Sequence, residues 1–215
     1  MAGARAVGVG AAPELRPRAR WSVDDAVAWG ERTGWLLGCN FTPSSASNQL
    51  ELWQGETFDP ATIDRELGWA AEVLGMNSIR LFLHDLAWLV DPSGFLDRLD
   101  QVLELAAGHA ISVMPVLFDG IWDPEPRPGP QRSPRPGIHN STWLQSPGAA
   151  VVADRSRWAS LQPYVEAVID RFRTDERVVA WDLWNEPDSP NPSYAHRDPA
   201  HKGALIGELL ERVWE

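Results

Sequence analysis

Four short apolar runs do most to limit what this chain can fold into. Each ends in a polar residue, and each is separated from the next by a stretch with helical spacing. The runs cover residues 35–41, 78–83, 111–118 and 178–184. Between them, Ser22 caps a helix over residues 22–32, with Asp24 and Asp25 in its first turn. Asp59-Pro60 opens a second helix, in which Ile63, Leu67, Ala70 and Leu74 recur on one face until Gly75 stops it. Asp91-Pro92 opens a third, with Leu99, Val102, Leu103 and Ala106 on one face and Gly108 at its end. Trp158, Leu161, Val165, Val168 and Phe172 mark a fourth, and Ile206, Leu209, Leu210 and Val213 a fifth. Residues 42–57 and 188–201 read as loops, and so do residues 120–149, where seven prolines gather. Alternation of strand and helix predicts an α/β fold with a parallel sheet and right-handed crossovers. On spacing alone the sheet is either doubly wound or closed into a barrel.

Several chemistries have no motif here. Gly8-Val9-Gly10 lacks the third glycine of a dinucleotide fingerprint and follows no strand. A phosphate loop and a Gly-x-Ser-x-Gly elbow are also missing, so no cofactor is expected. The net charge is −11. Residues 1–20, with four Arg and one Glu, read as a disordered basic arm, which leaves −14 on the remainder. A body that acidic repels nucleic acid and anionic membrane, so neither is an expected partner. Cys39 is the single cysteine and excludes an intrachain disulfide. The absence of a secretory apolar core and of any 18-residue apolar run points to a cytoplasmic protein that spans no membrane.

The polar residues at the strand ends are Asn40, His84, Asp119, Asn185 and Glu186. In both α/β architectures that face carries the chemistry. Alternation along the second strand puts Arg80, Phe82 and His84 on one face. In the fourth it groups Asp182, Trp184 and Glu186, so Asn185 reaches the same site only if the strand bulges at its end. Plain structural readings compete: Arg80 bridging Asp182 or Glu186, His84 as a satisfied surface histidine, Asp119 capping its loop. Glu186, flanked by Asn and Pro at the end of an apolar strand, has little structural purpose. Metal-dependent hydrolysis is a rival, but His84 is the only strand-end histidine and no metal site is expected.

At Trp181-Asp182-Leu183-Trp184-Asn185-Glu186-Pro187 the chain resembles the clan A glycoside hydrolases, the cellulase-like family 5 and its relatives. The second strand, Ser78-Ile79-Arg80-Leu81, matches the clan's usual Asn-x-Ile-Arg pattern. Gly38-Cys39-Asn40-Phe41, Leu83-His84-Asp85-Leu86-Ala87-Trp88 and Leu117-Phe118-Asp119-Gly120 resemble it too, so roughly 150 residues agree in order and spacing. The resemblance implies a (β/α)8 barrel, with residues 21–215 forming its N-terminal half, about four βα units. It implies retaining hydrolysis of a β-linked glycoside with Glu186 as general acid/base. Asn185 would bind the sugar 2-hydroxyl and Arg80 would orient the nucleophile. His84, Trp88, Asp119 and Trp122 would line the sugar subsite, with Asn140 and Trp143 closing over it from the long loop. Some of the 12 Trp would then serve as flat apolar platforms for sugar rings.

The chemistry asks for two carboxyl groups about 5–5.5 Å apart, one giving a proton to the leaving oxygen and one attacking the anomeric carbon. The clan's nucleophile lies on the seventh strand, whereas a whole barrel takes about 250 residues. No residue here is assignable to that role. The expectation is therefore a fragment, inactive alone, whose exposed sheet edges invite self-association. Two other readings stay open: a non-catalytic carbohydrate-binding half barrel, and a metal-dependent hydrolase sensitive to chelators.

Overall fold

The structure is a computed structural model that describes residues 20–214. Apart from Arg20, the arm read over residues 1–20 lies outside them. Helix α1 (Val23–Thr33) starts at Ser22, whose hydroxyl accepts from Asp25 N while Asp25 answers with its own side chain, a capping box. Strand β1 (Gly38–Phe41) follows, then the short α2 (Gln49–Trp53) and α3 (Pro60–Glu72), which Asp59 caps ahead of the proline. Strand β2 (Ser78–Phe82) leads into α4 (Asp85–Val90) and the long α5 (Pro92–Gly108). After β3 (Ser112–Asp119) come a one-turn α6 (Ala149–Val152), a 3-10 segment (Arg155–Leu161) and α7 (Gln162–Phe172). Strand β4 (Asp182–Asn185) and α8 (Lys202–Trp214) complete the described elements. No described helix is long and apolar enough to cross a membrane.

The four strands pair in parallel in the order β1-β2-β3-β4. Sequential order with no reversal excludes the doubly wound alternative, whose strand order turns back at a switch point. It is the order of the first four units of a (β/α)8 barrel. The helix-facing side is apolar: Ile79, Leu81, Val113 and Leu117 pack with Ile63, Leu67, Phe95, Leu99, Val102 and Phe172 into one buried cluster. The opposite side carries Asn40, Ser78, Arg80, Ser112 and Met114, all at least partly exposed.

Several boundaries differ from those expected. β1 begins three residues late because the Asn77 side chain replaces the ladder, accepting from Leu37 N (2.8 Å) and donating to Trp35 O (2.9 Å). β4 begins at Asp182, since Val178 makes only an isolated bridge to Val113. The expected loop at residues 42–57 contains α2, which buries Leu50, Leu52 and Trp53 in the core; the Trp53 indole donates to Phe82 O at 2.7 Å.

The proline-rich loop is largely ordered by buried polar stitching. Asn48 Nδ2 donates to Thr142 O (3.0 Å), Thr142 Oγ1 donates to Ser47 O (2.7 Å), and Gln49 exchanges two bonds with the Leu144 backbone. Seven prolines in a loop lower its unfolded entropy, so few bonds suffice to hold it.

Candidate active site

The C-terminal ends of the strands converge on an open cleft of ≈ 460 Å³. Arg80 is bonded to two of its lining residues, Asn40 and Asn185. Its guanidinium donates to Asp182 Oδ2 through Nε (2.8 Å) and Nη2 (2.5 Å), to Asn185 Oδ1 (3.0 Å) and to Asn40 Oδ1 (3.3 Å), and it lies 4.8 Å from the Phe82 ring centroid. A planar fork with five donors can serve three acceptors on two strands at once. The Arg80–Asp182 pair is the plain structural reading, and the bond to Asn185 adds a link to the site.

Asn185 has a fixed amide orientation. Its oxygen accepts from Arg80, while its Nδ2 donates to Asp119 Oδ1 at 3.0 Å. A flipped amide would set donor against donor and acceptor against acceptor. Asp119 is buried, 1% exposed, and also accepts from Ile121 N (3.1 Å) and Gln49 Nε2 (3.4 Å). Burial pushes its carboxyl up to about 7, and the Glu186 charge adds to this against the hydrogen bonds from Asn185 and Ile121.

Glu186 has φ 48°, in the left-handed region. This turn at the end of β4 lets Glu186 and Asn185 line the same cleft despite the alternation of a regular strand. Gly120 makes room for it: a Cβ there would sit 2.7 Å from Glu186 O, and Gly120 N donates to Asn185 O at 2.9 Å. The cleft walls are aromatic. Phe82 meets Trp143 edge-on at 5.1 Å between centroids, and Trp122 meets His139 at 5.5 Å.

Of the residues expected from sequence, Glu186, Asn185, Trp122, Asn140 and Trp143 line the cleft, with Arg80 bonded to Asn185. Three others do not. His84 is fully buried, and its Nδ1 caps α4 by accepting from Leu86 N at 3.2 Å; the chain has left β2 by then, so strand alternation no longer aims its side chain. Trp88 lies on α4 against Tyr164, 6.0 Å between centroids, on the helix side of the sheet. Asp119 supports Asn185 from below and is too buried to line the cleft. Sequence reasoning missed Thr42, Ser44 and His139 as lining residues, for each lies on an irregular segment with no periodic signal. Among the described residues, no group of three or more His, Cys, Asp or Glu side chains is placed to hold a metal ion.

Mannan endo-1,4-beta-mannosidase A of Emericella nidulans is 30% identical to this chain over 119 residues, 54% of this chain and 29% of that enzyme. The solved structure of an exo-beta-1,4-mannosidase from Opitutaceae bacterium strain TAV5 superposes with a TM-score of 0.55 at 22% identity. The chain is similar to the clan A glycoside hydrolases. That superposition covers 83% of this chain and 28% of the Opitutaceae enzyme, and it supports the first units of a (β/α)8 barrel as the fold. The chain thus spans less than a third of either of these enzymes. No family model matches it.

Proposed function

We propose that the chain carries the acid/base carboxylate, Glu186, of a retaining β-glycosidase. One observation carries the reading. Glu186 and the amide of Asn185, oriented by Arg80 and Asp119, share a cleft walled by Phe82, Trp122 and Trp143. In this scheme Glu186 protonates the leaving oxygen, then deprotonates the water that resolves the glycosyl intermediate. Asn185 has one amide hydrogen free for a sugar hydroxyl. The names of the two similar enzymes make a β-1,4-linked mannoside the substrate class of choice.

Glu186 is the one carboxylate among the residues lining the cleft. The nucleophile therefore has to come from outside the four described strands. That same observation favours a second reading, a non-catalytic carbohydrate-binding half barrel.

The test is hydrolysis of an aryl β-mannoside and of mannobiose by the intact protein. Glu186→Gln is expected to lower kcat about 10²–10⁴-fold, the usual worth of general acid/base help. With an activated aryl leaving group, Glu186→Ala should be rescued by azide, giving a β-mannosyl azide. Full activity in Glu186→Gln would overturn the assignment. Sugar binding without hydrolysis, surviving Glu186→Ala, would favour the second reading.

A further inference from the structure

Trp122 stands out in the cleft wall. Its φ is 83°, a backbone conformation that a bulky aromatic residue rarely adopts and that persists only when its surroundings impose it. What imposes it comes from the loop between β4 and α8. Asn191, 1% exposed, accepts from Trp122 N at 3.3 Å through Oδ1 and donates to Trp122 O at 2.9 Å through Nδ2. One side-chain amide thereby holds both backbone groups of one residue. Asn191 in turn donates to Asp198 Oδ2 at 3.0 Å, and Asp198 is held by Lys202 Nζ (2.7 Å) and Gln145 Nε2 (2.7 Å). Lys202 Nζ also donates to Gly120 O at 2.7 Å. The turn 120–122 is therefore grasped at two carbonyls by a buried network from the segment that follows Glu186.

We infer that Asn191 is a positioning residue, acting through the Trp122 backbone to set the indole as the sugar platform beside Glu186. The inference rests on the glycosidase reading for what the platform binds. The clamp itself rests on geometry alone. Without Asn191 the backbone of Trp122 loses both partners and relaxes toward negative φ, which swings the indole off the wall it shares with Trp143 and His139. Lys202 reaches the same turn only at Gly120, so Asn191 is the residue of this network that bonds the backbone of Trp122 itself. The interaction is one of ground-state binding, so it belongs in KM more than in kcat.

The experiment uses the intact protein with 5-fluorotryptophan incorporated and the Trp122 fluorine resonance assigned through Trp122→Phe. In Asn191→Ala the Trp122 resonance should shift or broaden while the other indoles stay in place. KM for a mannooligosaccharide should rise about tenfold with kcat within about threefold. In a Trp122→Ala background, Asn191→Ala should add nothing further to KM, because its effect passes through that side chain. Asn191→Asp keeps the shape and the acceptor for Trp122 N but loses the donor; it should fall between wild type and alanine, and it carries the same test should the alanine variant fail to fold. An unmoved Trp122 resonance, or losses that add fully in the double variant, overturns the clamp. A shifted resonance in a protein that turns over no β-glycoside leaves the clamp standing and overturns the glycosidase reading instead.

Discussion

Asp119 and Arg80 hold Asn185 from opposite sides, one as acceptor and one as donor, and each makes a separate prediction. The Asp119 carboxyl titrates at about 7 in the folded chain against an ordinary 3.8, with burial as the main cause. Below about pH 4 it is neutral whether folded or unfolded. Between there and its folded value the unfolded chain releases its proton first, so this group's contribution to stability falls as pH rises through the window. Asp119→Asn removes that dependence. Its melting temperature relative to wild type should improve from about pH 4.5 to about pH 7.5, and a constant difference would argue against the buried acid. Arg80→Lys tests the other side. One ammonium cannot serve Asp182, Asn185 and Asn40 together, so Asn185 should lose its alignment, at a cost of roughly a hundredfold in kcat/KM. Kinetics set beside a melting curve would separate this from loss of fold.

Among the elements, α2 has the widest reach for its length, for it packs into the core and pins the proline-rich loop. Asn48 caps it by accepting from Glu51 N at 2.9 Å and also donates to Thr142 O. Asn48→Ala should cost about 1 kcal/mol or more of stability through the lost cap and should also loosen the loop. Limited trypsinolysis checks this. Arg127 and Arg135 precede prolines, so cleavage after Arg132 should rise, and an unchanged rate would mean the loop does not depend on α2. This helix was invisible in the sequence because five residues span too few turns for a period to register. The same holds for α4, and His84 was misplaced for that reason: strand alternation was extended past the point where β2 ends at Phe82. The longer helices and the strand-end polar residues were legible, since an apolar period of 3.6 or a polar residue closing an apolar run is a local signal. Asn191 and its partners were not, because 69 residues separate Asn191 from Trp122 and nothing local marks the pairing.

For the molecule as a whole, β1 and β4 are the outer strands of the sheet, and their outward edges pair with nothing among the described residues. Such edges are templates for further strands. The purified 215-residue chain should therefore associate in a concentration-dependent way in sedimentation velocity, and a compact monomer throughout the range would show the edges to be protected. Among themselves the four strands are self-sufficient in a different respect. Arg80, Asp119, Asn185 and Gly120, which surround Glu186, all belong to β2, β3, β4 or the residue that follows β3, and they brace one another across the sheet. A mutual scaffold of this kind is portable. Exchanged as one block into another chain of the same architecture, these units would bring the Glu186 carboxylate already placed beside Asn185, and recombination between distant relatives would need to match only the seams at β1 and β4.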